Sequence, residues 1–158
     1  MLRRRTGLAV AAAVLSCITP AVRAGSGIFN SFVVVDKGTG NVFYDLGSAT
    51  GNPDWQGTNL GSFFAGGSSD AGAALTLNGG ELQTFQNSGD DIQHAYVNYR
   101  LSGGGFTEFE ILFNSTFPNF GNNPGDKKWQ TTGQAIKILN GLAPGTYTVY
   151  CSLPGHAD

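Results

Sequence analysis

Glycine sets the terms on which this chain can fold. It occurs 24 times in 158 residues and clusters between short runs rich in β-branched and aromatic side chains. No stretch beyond the first two dozen residues carries a sustained helical period, and turn signals return at the short intervals typical of sandwiches and barrels. Strands are expected at 32–36, 42–46, 60–64, 74–77, 82–86, 92–101, 107–114, 135–139 and 145–152. Lys37-Gly38-Thr39-Gly40, Asn78-Gly79-Gly80, Ser88-Gly89-Asp90 and Ala143-Pro144-Gly145 are read as the reversals between them. The polar stretch 119–128 reads as a loop. The expected fold is all-β, an antiparallel β-sandwich of Ig-like or Greek-key type.

One hairpin can be aligned by polarity. In 92–101 the apolar positions are Ala95, Val97, Tyr99 and Leu101, with His94, Asn98 and Arg100 on the opposite face. In 107–114 Phe109, Ile111 and Phe113 oppose Glu108, Glu110 and Asn114. Matching the apolar faces pairs Tyr99 with Phe109 and Val97 with Ile111 across a Gly103-Gly104-Gly105 loop. That register sets Arg100 opposite Glu108 and Asn98 opposite Glu110.

Residues 1–24 read as a secretory signal peptide. Arg3, Arg4 and Arg5 precede a short apolar segment, Pro20 breaks it, and Val22-Arg23-Ala24 offers a cleavage site. A lipoprotein anchor at Cys17, behind Val14-Leu15-Ser16, is the less favoured processing route. The expected localisation is therefore secreted or cell surface, with residues 25–158 as one domain. Without the leader, Lys37, Arg100, Lys127, Lys128 and Lys137 stand against all eleven carboxylates, a balance of −6. One arginine on a negative surface cannot neutralise a phosphate backbone, so nucleic acid is excluded. No apolar run reaches the roughly 18–20 residues of a membrane span. Cys151 is the single cysteine left after the leader, which rules out an intrachain disulfide.

Candidate chemistry is sparse. Glu108 and Glu110 share a strand face about 7 Å apart, a spacing open to glycosidase carboxylates, but with no burial to raise either pKa. No nucleophile elbow or phosphate loop is present. Asp90-Asp91 and Asn122-Asn123-Pro124-Gly125-Asp126 offer oxygen ligands without EF-hand spacing. No enzymatic activity is expected. Tyr96, Arg100, Trp55 and Trp129 are the candidate outer-face binding residues, and the rings of Trp55, Trp129, Tyr96 and Tyr150 could stack on a glycan.

The end of the chain, Thr146-Tyr147-Thr148-Val149-Tyr150-Cys151-Ser152-Leu153-Pro154-Gly155-His156, resembles the copper-binding end of cupredoxins. That resemblance implies a type 1 copper site, with His94, Cys151 and His156 as ligands and a periplasmic electron-transfer role. The axial methionine is missing, and alternation places His94 and Cys151 on opposite faces.

A wider resemblance spans residues 30–150. Its segments are Val42-Phe43-Tyr44-Asp45-Leu46, Gly51-Asn52-Pro53-Asp54-Trp55-Gln56-Gly57-Thr58-Asn59-Leu60-Gly61-Ser62-Phe63 and Leu75-Thr76-Leu77-Asn78-Gly79-Gly80. Val97-Asn98-Tyr99-Arg100, Asn123-Pro124-Gly125-Asp126-Lys127-Lys128-Trp129 and Leu139-Asn140-Gly141-Leu142-Ala143-Pro144-Gly145-Thr146-Tyr147-Thr148-Val149 continue it. In these the chain is similar to secreted bacterial β-sandwich modules of Bacteroidota-type surface proteins, a family without an established activity. The resemblance implies a structural or interaction role at the cell surface, with a surface protein or glycan as partner and no cofactor. Such modules carry a further strand after the Tyr-Thr-Val strand. The chain is thus expected to be truncated at its C-terminus, or to leave an open sheet edge for strand addition by a partner.

Overall fold

The computed structural model describes residues 25–47, 50–63, 75–86, 91–116 and 125–157. The leader read over 1–24, with Cys17, lies outside them. So do Phe64, Ala74, Asp90 and the Asn122-Asn123-Pro124 part of the oxygen-rich loop.

Among the described residues, nine strands build two antiparallel sheets. They are β1 (Ser26–Asp36), β2 (Asn41–Asp45), β3 (Thr76–Gln86), β4 (Ile92–Leu101), β5 (Thr107–Ile111), β6 (Phe113–Thr116), β7 (Lys127–Lys137), β8 (Val149–Ser152) and β9 (Gly155–Ala157). One sheet runs β2-β1-β3-β7-β6 and the other β5-β4-β8, with β9 extending β8 along the same side of β4. The chain leaves β3, crosses to the second sheet for β4 and β5, and returns through β6 so that β7 lies against β3. This is the crossed connectivity of a Greek-key β-sandwich. Between the layers sit Val33, Val35, Tyr44, Leu77, Leu82, Ala95, Val97, Ile111, Trp129 and Leu153, all buried. Apart from Leu153, which lies between β8 and β9, they come from inward-facing positions on strands of both sheets, as two facing layers require.

Several expected boundaries move, each for a local reason. Asn78-Gly79-Gly80 is no turn: it lies inside β3, which joins two of the expected strands. At Gly79 φ is +145°, and a Cβ there would fall 1.8 Å from the carbonyl oxygen of Thr131 on β7. At Gly80 a Cβ would meet Val97 Cγ2 of the opposite sheet at 2.7 Å. Glycine inside a strand here marks a bulge and a close approach of neighbouring backbone. Across from the bulge β7 takes up extra residues, with Gly133 at φ 104° and Ala135 at φ 54°. The Asn78 side chain secures the irregularity, accepting from Ala135 N at 3.0 Å and donating to Asn41 Oδ1 at 2.6 Å.

The expected strand 107–114 is split at Leu112, where the chain changes sheets. Leu112 N donates to Thr131 Oγ1 at 2.9 Å and Leu112 O accepts from Gln130 N at 2.8 Å, tying the crossing to β7. The expected loop 119–128 gives up Lys127 and Lys128 to β7. Residues 60–63 form no strand, and residues 145–148 precede β8 without joining it. Segment 50–63 is held by Asp45, whose carboxylate accepts from Gly47 N at 2.6 Å and Thr50 N at 3.0 Å.

On the outer face of the larger sheet Glu81 is 6% exposed but not isolated. Lys128 Nζ lies 2.8 Å from it, and Gln83 and Gln130 each donate to it at 2.6 Å. A buried carboxylate is tolerable only when paired and hydrogen-bonded in this way.

Gly79→Ala should destabilise the fold by about 3 kcal/mol, since strain and a backbone clash act together. Gly105→Ala, with open space around its Cβ, should stay within about 0.5 kcal/mol of the parent. Urea denaturation of both variants checks the pair.

Candidate interaction face and side groove

The outer face of the smaller sheet gathers most of the chain's candidate side chains. Alternation along β4 sends Ala95 and Val97 to the core, both 0% exposed, and turns His94, Tyr96, Asn98 and Arg100 outward. The hairpin register differs from the polarity-based one by two residues: Tyr99 pairs with Thr107, Val97 with Phe109 and Ala95 with Ile111. A two-residue slip leaves every side chain on its own face, so polarity could not discriminate between the two. The observed choice seats Ile111 opposite the small Ala95 in the core.

The outer-face partners change accordingly. Arg100 does not face Glu108, and Asn98 does not face Glu110. Asn98 lies between Glu108 on β5 and Ser152 on β8, and Tyr96 lies opposite Glu110. Glu110 Oε1 instead reaches diagonally to His94 Nδ1 at 2.8 Å, both side chains being about half exposed. Both glutamates thus stand on a solvated strand face, one of them engaged by an imidazole.

Arg100 is the most constrained member of the face. Its guanidinium carbon sits 4.8 Å from the ring centre of Phe106 and 4.5 Å from that of Tyr150. Phe106 and Tyr150 are 63% and 43% exposed. Two rings across a cation hold the side chain in place, each contact contributing about 0.5–1 kcal/mol at an exposed site. The Arg100 Nε is buried without a hydrogen-bond partner. Among the described residues no carboxylate lies within ion-pair distance of this guanidinium. At the other end of β4, Tyr96 stacks on His94 at 6.3 Å and meets His156 edge-on at 5.3 Å. Phe106 was missed in the sequence because the other register set it beside Ser102; the signal available was its place at the mouth of the glycine loop.

The two tryptophans do not join this face. Trp129 is 5% exposed and packs in the core beneath Phe113, with ring centres 5.6 Å apart. Its placement on an outer binding face is therefore corrected: β7 pairs it with Leu82, on the inward side of the sheet. Trp55 is partly buried, its ring edge-on to Tyr44 at 5.7 Å, and its backbone N–H donates to the Asp45 carbonyl oxygen at 2.8 Å. It borders a side groove of about 880 Å³ between segment 55–63 and residues 145–151. Leu60, Phe63, Leu139, Val149 and Cys151 make much of its lining. Along this side β8 is an edge among the described strands.

His94, Cys151 and His156 are divided between two faces. His94 and His156 are direct cross-strand partners, both exposed on the outer face. Cys151 pairs with Tyr99 and packs against the core. Two imidazoles on one side of a sheet and a thiol on the other do not make the trigonal array of a type 1 copper centre. Among the described residues no group of three or more His, Cys, Asp or Glu side chains is arranged to hold a metal. Also among the described residues, no helix is long and apolar enough to cross a membrane.

Burial pushes the Cys151 thiol from 9.0 up to about 12. The native state then keeps its proton where an unfolded chain would lose it, so this residue's contribution to stability falls as pH rises from about 9 towards 12. Cys151→Ala should show a shallower loss of stability across that window than the parent in denaturant titrations. At pH 8 the native thiol should resist alkylation and react only on unfolding.

Comparison with known proteins found no matching family model, no matching curated protein and no matching solved structure.

Proposed function

We propose that the protein is an exported, non-enzymatic β-sandwich module that acts by binding at the cell surface, and that the outer face of the β5-β4-β8 sheet is its contact surface. The observation that carries this reading is Arg100 clasped between the exposed rings of Phe106 and Tyr150. Aromatic rings and a held arginine are the residue types that dominate binding energy at recognition surfaces. Tyr96 stands four residues along β4, about 13 Å away at strand rise, with Asn98, Ser152 and Glu108 supplying hydrogen-bond groups in the interval. A flat face with spaced rings and polar groups between them suits an extended ligand better than a small molecule, which would favour a concave pocket.

The secretory reading of residues 1–24 supports an extracellular setting and leaves a surface glycan or a surface protein as the partner class. The far edge of β8 supports a second contact mode, addition of a partner strand.

A fluorescent fusion of residues 25–158 should be retained on arrays of extracellular polysaccharides and surface proteins. A Tyr96→Ala, Phe106→Ala, Tyr150→Ala triple variant should lose at least tenfold in retention while keeping the parent's circular dichroism. Retention unaffected by the triple change would reject the face as the contact surface.

A further inference from the structure

We infer that the ligand of this face is a mostly neutral polysaccharide carrying scattered carboxylate groups, with Arg100 reading one of them; this rests on the face being the contact surface. Arginine is the one side chain that offers a carboxylate a planar fork of parallel N–H donors. In a protein it ordinarily finds an acidic neighbour when one is near. Here Glu108 lies one row away on the adjacent strand, opposite Asn98, and is not within ion-pair distance. Glu110 is taken by His94 at 2.8 Å. Among the described residues the positive charge is thus left without a counter-charge, although Glu108 and Glu110 stand on the neighbouring strand.

The two rings decide what kind of anion fits. Phe106 and Tyr150 each lie against the guanidinium, their ring centres 4.8 and 4.5 Å from its carbon, and its Nε is buried. With Nε buried, what remains for a ligand is the edge that carries the two Nη groups. A carboxylate can meet that edge in plane, with no side-chain ordering left to be lost, because the rings already fix the guanidinium. The ring surfaces turned away from Arg100 remain open, and the apolar C–H face of a pyranose can lie on them as on any exposed aromatic ring. The row Glu108-Asn98-Ser152 next to it presents acceptors and donors of the kind that bind hydroxyl groups. An acidic peptide would supply the carboxylate but would have less use for that hydroxyl-matching row.

The test compares polygalacturonate in which most carboxyl groups are methyl-esterified, so that the free charges are sparse, with the same polymer after its carboxyl groups have been reduced to alcohols, by affinity electrophoresis of the parent and of Arg100→Lys, Arg100→Ala and Tyr96→Ala. The parent should be retarded by polygalacturonate, at least tenfold less by the reduced polymer, and progressively less as NaCl rises from 0.05 to 0.2 M. Arg100→Lys keeps the charge and removes the fork; it should lose about tenfold on polygalacturonate and much less on the reduced polymer. Equal retardation by both polymers, still dependent on Tyr96, would overturn the carboxylate reading and leave the face as a neutral-glycan surface. No retardation by either polymer would also overturn it, with the array experiment deciding separately whether the face binds at all. The polymer comparison and the salt series use the parent protein, so they hold even if an Arg100 variant folds poorly.

Discussion

Contact between β3 and its surroundings at Gly79 and Gly80 is the constraint on which the sandwich depends. On one side the backbone of β7 comes so near that no Cβ fits at Gly79; on the other, Val97 and Leu153 of the second sheet press on Gly80. β3 is the central strand of the five-stranded sheet, so both its lateral pairing and its face-to-face packing meet at these two residues. Glycine in a strand interior ordinarily weakens it through lost backbone entropy, by about 0.5–1 kcal/mol relative to alanine. The cost is offset by the approach it permits, with Leu82, Val97 and Trp129 buried around it.

Seating Val97 against Gly80 also fixes which side of β4 faces inward. Once Val97 and Ala95 are in the core, Tyr96, Asn98 and Arg100 must point outward, and the adjacent strands bring Tyr150 and His156 beside them. The interaction face is thus a consequence of core packing on its reverse side. Its precision comes from strands, with the loop residue Phe106 added at one end. Residues mounted on a paired sheet hold their spacing better than residues on loops, which matters for an extended ligand that must meet several of them together.

The sequence made some of this legible and hid the rest for identifiable reasons. Periodicity of two located β4 to the residue and assigned the correct face to His94, Asn98 and Arg100, because burial on one side imposes that pattern. It failed at Asn78-Gly79-Gly80, where the same residues that make turns also allow close backbone approach; only the neighbour's position decides between the two. It failed again on hairpin register, since pairings two residues apart bury identical faces. Trp129 misled for a third reason. Polar flanks, Lys127 and Lys128 before it and Gln130 after it, gave it the look of a loop residue, yet they belong to an ordinary strand whose Trp129 is inward and whose Lys128 is engaged with Glu81.

The cupredoxin-like ending shows how far a linear motif can run ahead of geometry. Order and residue type were all present: a histidine, then a cysteine closing a strand, then Pro-Gly and a second histidine. In an antiparallel sheet, however, a residue's face is set by parity of position relative to its partners. His156 falls opposite His94, and Cys151 falls opposite Tyr99, five residues along β4 and therefore of opposite parity. No rotamer change carries a side chain through the sheet, and a one-residue register shift of β8, which would bring the thiol outward, would also expose Val149 and turn Tyr150 inward, away from Arg100. Core burial and the arginine cluster therefore oppose the copper arrangement together. The parity that separates the three ligands is the same parity that assembles Phe106, Arg100 and Tyr150 on one surface.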